Sequence, residues 1–137
     1  MTKRNVEQRF NKLVRDRVPT IIRKTGAQVR ARPAHPEERR PLLRAKLQEE
    51  LREFIDARNS DERLEELVDL LDVLEAVRRD ENITRSELEL ARCRKQHAKG
   101  GFRKFLILQT VTATYREPKL RLLRALPPLK SSSGKKV

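Results

Sequence analysis

The chain has 137 residues and a mass of 16.1 kDa, which is enough for about one domain and excludes long multidomain schemes. Hydrophobic residues make up 36% of it, and four Phe, one Tyr and no Trp leave a modest aliphatic core, which argues against a large sandwich or barrel. The net charge of +13 would normally indicate a polyanionic partner, because clustered lysines and arginines neutralise phosphates.

The first predicted element is a short helix over residues 19–25, which opens on a proline and can end at Gly26 in the left-handed conformation. Residues 28–41 hold three prolines among scattered arginines. We therefore expect a loop there, with a short β element near residues 28–32.

Two long helices follow, from Leu42 to about Arg58 and from a cap at Ser60 to about Arg79. Apolar side chains, mostly leucines, recur along both at spacings of three and four, which is the period of an amphipathic helix. Because only a short break separates the two helices, we expect them to form an αα-hairpin.

A third helix is predicted to begin at Thr84, whose spacing to Glu87 is that of a capping box, and to end at the Gly100–Gly101 pair. Residues 103–112 contain β-branched and aromatic side chains that favour extended structure, so we expect a second short β element there. The predicted fold class is all-α, with the two short β elements added to a helical bundle.

We expect one domain over residues 1–115, followed by a basic and partly disordered tail over residues 116–137. No apolar run approaches the roughly 20 residues of a membrane span, and the N-terminal sequence lacks the apolar stretch of a secretory signal. The single Cys93 can form no internal disulfide. These features predict a soluble, cytoplasmic protein with no membrane partner.

The distribution of charge argues against a plain nucleic-acid-binding protein. Residues 1–46 carry a net charge of +10, residues 47–90 carry −9, and residues 91–137 carry +12. DNA-binding domains place basic groups on the element that reads the DNA, whereas here the two strongest helix patterns lie in the acidic middle. Nucleic acid stays possible as a partner of the basic arms but is not favoured.

Two acidic residues of the second long helix fall on its apolar side. At about 100° of rotation per residue, Glu66 lies within about 20° of Val73 and Val77, and Asp69 lies about 60° away. Bare carboxylates in such a place cost several kcal/mol each unless they are protonated, paired or bound to a cation. The pattern therefore indicates positive charge at this position.

The first long helix presents a matching pair, because Glu50 falls about 20° from Leu43 and Glu53 borders the same apolar stripe. An antiparallel hairpin would bring the two pairs face to face. Four carboxylates could then surround one or two cations, and ligation by oxygen alone favours Mg²⁺, or Mn²⁺, over zinc. The alternative is that these acids pair with the many arginines.

Four stretches of this sequence form a recognisable set. Residues 49–53 follow an EExxE pattern and, after twelve residues, residues 66–69 follow an ExxD pattern. Residues 11–16 read NKLVRD, and residues 99–102 read KGGF. Taken in their order along the chain, the four stretches resemble the motifs of the MazG-like, all-α nucleoside triphosphate pyrophosphohydrolases, in particular the phosphoribosyl-ATP pyrophosphohydrolase-like subgroup. The match covers about residues 10–110.

The resemblance implies a helical bundle completed by dimerisation, and Mg²⁺-dependent cleavage of a nucleotide between its α and β phosphates to give a monophosphate and pyrophosphate. We expect a housekeeping nucleotide hydrolase. A phosphoribosyl-ATP pyrophosphohydrolase of histidine biosynthesis stays an alternative, although the chain lacks the Gly-Glu-Glu-Ala stretch of those enzymes.

The resemblance and the helix geometry together suggest a role for each candidate residue. Glu49 and Glu50 are the catalytic candidates, with Glu49 orienting the attacking water. Phosphate charge also requires cations, although for each candidate an exposed, solvated role is as good an interpretation. The metal candidates are Glu50, Glu53, Glu66 and Asp69, and the substrate-binding candidates are Lys12, Arg15, Lys95, Lys99 and Arg103.

Two other functions compete with hydrolysis. A nucleic-acid-binding protein is favoured by the charge of +13 but opposed by the scarcity of aromatic residues for stacking. A helical interaction module would use its acids only to pair with its arginines, which would leave Glu66 and Asp69 on an apolar face for no chemical gain.

The second long helix is apolar over a wider arc than one neighbouring helix can cover, from Ala76 round to Val68. Two hairpins related by a two-fold axis would complete a four-helix bundle. We therefore expect at least a homodimer, as the resemblance also implies, with the nucleotide site near the interface.

Overall fold

The computed structural model describes residues 6–112. It contains four helices: α1 over Val18–Lys24, α2 over Pro36–Asp56, α3 over Ser60–Asp80 and α4 over Arg85–Lys99. All four belong to one unit that ends at Lys99, and Gly100 begins a second unit. No strand occurs between residues 6 and 112, so the prediction of an all-α fold is confirmed for this part of the chain.

The two predicted β elements are wrong. Residues 28–32 run as irregular chain, and residues 103–112 begin with a turn in which the amide of Phe105 donates to the carbonyl of Phe102 at 3.2 Å. Extended segments become strands only when another strand pairs with them, and the described residues offer none. The basic tail predicted for residues 116–137 lies outside the described residues.

The helix predicted to start at Leu42 starts six residues earlier, at Pro36. Pro36 occupies the first helical position, and the Glu38 carboxylate accepts from the His35 amide at 2.8 Å, which satisfies a free donor of the first turn. Pro41 lies inside the helix and lacks an amide donor, which is why the sequence pattern placed the start after it.

Helices α2 and α3 form the predicted hairpin through the turn 57–59. Asn59, and not the predicted Ser60, caps α3, because its side-chain oxygen accepts from the Glu62 amide at 2.9 Å. At the other end of the hairpin, Arg40 near the start of α2 donates to Glu81 after α3 at 2.6 Å. The two helices are therefore antiparallel, and residues at matching distances from the turn face each other.

The hairpin buries very little. Among the described residues only Leu43, Val73 and the charged Glu50 are buried. The apolar arc predicted on α3 lies largely in solvent, since one helix covers one side of it. Its exposed members are Leu64, Leu67, Val68, Leu71 and Leu74.

The shorter helices begin and end as their sequences predict. Gly26 after α1 and Gly100 after α4 both adopt positive φ, at 87° and 77°. The capping box at Thr84 is present, because the Thr84 amide donates to Glu87 at 2.7 Å and the Glu87 amide donates to the Thr84 hydroxyl at 3.1 Å. All α4 side chains are exposed, and none of the described helices has the length and apolarity needed to cross a membrane.

Candidate metal centre

Five carboxylates converge midway along the α2–α3 hairpin. The spacing within each helix places its acids on adjacent turns, and the antiparallel packing sets the two helices' acids against each other. Oxygens of Glu50, Glu66 and Asp69 all lie within 4.8 Å of one another, as do oxygens of Glu49, Glu50 and Glu53. Glu50 belongs to both groups. The four metal candidates from the sequence are thus brought together, with Glu49 beside them.

Two oxygens of this carboxylate cluster, Glu49, Glu50, Glu53, Glu66 and Asp69, are buried without a hydrogen-bond partner in the described part of the chain. They are Oε2 of Glu50, whose side chain is 4% exposed, and Oε2 of Glu66. A buried polar atom left unsatisfied costs about 1–3 kcal/mol, and more when it is charged. An oxygen-preferring divalent cation would satisfy both atoms, so the residues present fit such an ion.

The electrostatics of Glu66 agree with this fit. Desolvation raises the pKa of its carboxyl group, and the neighbouring charges of Glu53, Glu50 and Asp69 raise it further. Neither Glu53 nor Glu66 forms an ion pair with a described residue. Negative charge at this point is therefore not balanced by any side chain among residues 6–112.

Three basic side chains partly neutralise the cluster. Lys12 Nζ lies 2.7 Å from Glu49 Oε1, Lys46 forms ion pairs with Glu49 and Glu50, and Arg15 forms ion pairs with Asp69 and with Asp72, one turn further along α3. With Asp72 included there are six carboxylates and three cations, which leaves a net charge of −3 when all are ionised. One divalent ion would reduce this to −1.

Lys46 is the member of the site that the sequence interpretation missed. Its side chain is 17% exposed, and Nζ lies 3.1 Å from Glu49 Oε1. Desolvation lowers the pKa of Lys46, but hydrogen bonds to Glu50 and Glu49 outweigh it, so the net pKa is raised and the ammonium stays charged. The sequence does contain a signal for these ion pairs, because Lys46 precedes Glu49 and Glu50 by three and four residues, which is the spacing of ion pairs along a helix.

The predicted substrate-binding residues divide into two sets. Lys12 and Arg15 reach the carboxylate cluster from the segment before α1. Lys95 and Lys99 lie on α4, whose backbone does not approach the other helices, and their exposed side chains make no ion pair with a described residue. Arg103 is exposed in the unit that begins at Gly100.

Three comparisons with known proteins found no match, neither to a family model, nor to a curated protein, nor to a solved structure. The chemistry of the site is therefore inferred from its own residues. An all-oxygen set with unbalanced negative charge suits Mg²⁺ or Mn²⁺, and basic side chains beside it suit a phosphate-bearing ligand.

Proposed function

We propose that this protein is a Mg²⁺-dependent nucleotide pyrophosphohydrolase of the MazG-like type, which cleaves a nucleoside triphosphate or related nucleotide between its α and β phosphates. The observation that carries the proposal is the pair of buried, unpartnered carboxylate oxygens on Glu50 and Glu66. A helix pair that served only structure would gain by replacing these acids with apolar residues. A bound cation would instead coordinate both oxygens and offset the cost of burying them.

Glu50, Glu53, Glu66 and Asp69 would hold the cation, with Mn²⁺ as an alternative to Mg²⁺. When bound, a divalent cation polarises phosphoryl oxygens and offsets the charge that develops on them during cleavage. The four carboxylates keep the ion at the centre of the hairpin, where two antiparallel helices fix their backbones. Apart from Glu50, these side chains are not fully buried, so a nucleotide can reach the ion from the open side.

Glu49 is the residue best placed to orient water. It accepts hydrogen bonds from Lys12 and Lys46, and the bond from Lys12, opposed by desolvation, lowers the pKa of its carboxyl group. Glu49 is therefore ionised at neutral pH and can accept a hydrogen bond from water with its second oxygen. Glu50, adjacent in sequence, belongs to the same two-helix site and completes the catalytic pair.

Lys12 and Arg15 are the proposed phosphate ligands. Both are exposed enough to leave their carboxylate partners, at 44% and 53% side-chain exposure, and both form an ion pair with a member of the carboxylate cluster. Arg15 can bind phosphate through two parallel donors, whereas Lys12 supplies a point charge. The housekeeping role is part of the proposal and rests on the sequence resemblance alone.

The proposed assembly is a homodimer in which two α2–α3 hairpins complete a four-helix bundle. The exposed leucines of α3 support this, because fully burying a leucine contributes about 1.5–3 kcal/mol and one chain leaves five apolar α3 residues in solvent. In such a dimer, the basic α4 of one subunit can approach the carboxylate cluster of the other. Lys95 and Lys99 could then serve the site, which they do not reach within one chain.

One observation favours a second candidate, a helical interaction module without catalysis. Lys12, Arg15 and Lys46 already form ion pairs with the acids, as that interpretation requires. The pairing is incomplete, however, because Glu53 and Glu66 have no cation among the described residues. A module should therefore be indifferent to Mg²⁺, whereas the proposed enzyme should be stabilised by it.

The test is a nucleotide panel assayed with and without Mg²⁺, with products separated by ion-exchange chromatography. We expect a monophosphate and pyrophosphate in equal amounts from at least one nucleotide, and none with Mg²⁺ removed. The Glu66→Gln variant should be inactive, and the adjacent, exposed Glu65→Gln should retain activity. Release of a diphosphate and inorganic phosphate, or an active Glu66→Gln variant, would contradict the proposal.

A further inference from the structure

Arg15 already supplies positive charge to one of the candidate metal ligands. One nitrogen of its guanidinium, Nη1, donates to Asp72 at 2.8 Å, and the other, Nη2, donates to Asp69. Asp69 forms a group with Glu50 and Glu66, whereas Asp72 lies one turn away and belongs to neither group. The chain thus places its own cation on a carboxylate that a divalent ion would use.

The ion pair with Asp69 can exchange, because both of its side chains are partly exposed to water. Arg15 lies outside any helix, its side chain is 53% exposed, and that of Asp69 is 34% exposed. When Arg15 leaves, water can satisfy both groups, so no buried donor is left unpaired. Asp72, with its side chain 58% exposed, can hold the guanidinium nearby through the remaining bond.

Lys46 differs from Arg15 in this respect. It lies on the same helix as Glu50, and its side chain is 17% exposed, so it cannot move far from its partner. It pairs with Oε1 of Glu50, whereas Oε2 is the atom without a partner. Lys46 therefore neutralises Glu50 without occupying the free oxygen, and Arg15 is the cation that a metal would have to displace.

We propose that Arg15 competes with the divalent cation for Asp69, and that binding of the cation releases the guanidinium to a phosphate of the nucleotide. This inference rests on the metal site of the proposed function. Coupling of this kind is reciprocal. A phosphate that takes Arg15 away from Asp69 raises the affinity of the protein for the cation, and the cation raises the affinity for the phosphate by the same factor. Cation and nucleotide then bind cooperatively.

The test measures Mn²⁺ affinity in the absence of nucleotide, from the electron paramagnetic resonance signal of free Mn²⁺. Arg15→Ala and the bulkier Arg15→Gln are compared with Arg17→Ala as a control. Arg17 carries the same charge two residues further along the chain, but unlike Arg15 it makes no ion pair with a described residue. Both Arg15 variants should bind Mn²⁺ about fivefold more tightly than the parent, the scale of a partly exposed ion pair. Arg17→Ala should match the parent.

Three results would overturn the inference. The first is unchanged or weaker Mn²⁺ binding by an Arg15 variant that is still helical. The second is an equal gain in Mn²⁺ affinity in Arg17→Ala, which would indicate a general electrostatic effect, and the third is that none of the proteins binds Mn²⁺. A second readout covers a variant that fails to fold. Mg²⁺ should accelerate modification of Arg15 by phenylglyoxal in the parent chain, while Arg32, paired with Glu38 at 2.8 Å, reacts at an unchanged rate.

The two proposals fail separately. Tighter Mn²⁺ binding in the Arg15 variants without hydrolysis of any nucleotide would leave the competition intact and remove the enzyme. Mg²⁺-dependent hydrolysis with Mn²⁺ affinity unaffected by Arg15 would do the reverse.

Discussion

Replacing Glu66 by Gln should separate metal binding from folding. The substitution keeps the size of the side chain and removes one charge from the carboxylate cluster. Because desolvation and the charges of Glu53, Glu50 and Asp69 raise the pKa of Glu66, its ionised form opposes folding at neutral pH in the absence of a cation. The metal-free variant should therefore be at least as stable as the parent, and it should be equally helical.

The expected effect of the cation follows from the number of ligands. If Mg²⁺ is present at about 100 times its dissociation constant, it stabilises the parent by about 2.7 kcal/mol. For a domain of this size that raises Tm on the order of 10 °C. Loss of one of four carboxylates should weaken Mg²⁺ binding at least about 100-fold, by comparison with outer-shell changes that cost about 10–100-fold. The variant should then gain only about 0.4 kcal/mol at the same concentration.

Thermal unfolding followed by circular dichroism, with and without MgCl₂, measures both quantities. Potassium chloride at matched ionic strength controls for screening of the charged surface. Glu65→Gln, which removes an exposed carboxylate next to Glu66, should respond to Mg²⁺ as the parent does. If Glu66→Gln gains as much stability from Mg²⁺ as the parent, or if the metal-free variant is much less stable, the reasoning about the buried oxygens is refuted.

Three further predictions concern other parts of the molecule. Lys12→Ala should raise KM for the nucleotide about tenfold and leave the Mg²⁺ titration unchanged, because a point cation on phosphate stabilises the ground and transition states alike. A lost Mg²⁺ response with unchanged KM would contradict this prediction. The hydrogen bond from Arg78, joined by one from Arg85, lowers the pKa of Glu75 from 4.5 to about 2. The stability that the ionised Glu75 contributes is therefore present above pH 4.5 and is lost as the pH falls to 2. Glu75→Gln should lower Tm at pH 7 but not at pH 2, and an equal loss at both would show that packing is responsible. Leu71→Glu, at a position 58% exposed in one chain, should convert a dimer to a monomer by light scattering in moderate salt, and a parent that is monomeric, folded and active would remove the dimer.

The placement of the acids on the hairpin could be predicted from the sequence because it depends on local rules. The helical period fixes which residues share a face with Glu66, and the short turn 57–59 leaves the antiparallel arrangement as the natural one. The convergence of Glu50, Glu66 and Asp69 follows from these two facts. The identity of their partners does not, since Arg15 is 54 residues away from Asp69 and its position depends on the path of the segment before α1.

The errors of the sequence interpretation also have physical causes. Pro41 suggested a boundary, but a helix tolerates the loss of a single backbone hydrogen bond when Pro36 and Glu38 have already stabilised its start. The β-branched residues of 103–112 suggested a strand, but propensity of this kind is realised only when a second strand is available. Lys46 was missed because its spacing to Glu49 and Glu50 is common on solvated helix faces, and only the packing against α3 shows that its side chain is 17% exposed.

Anomalous scattering from a crystal grown with MnCl₂ is the most direct measurement, because it locates the ion itself. We expect a manganese peak between the two helices, bonded to oxygens of Glu50, Glu53, Glu66 and Asp69. The guanidinium of Arg15 should have moved away from Asp69. A well-diffracting crystal with no peak at the carboxylate cluster, and with the ion pairs of Arg15 and Lys46 in place, would contradict the metal site and with it the proposed hydrolase.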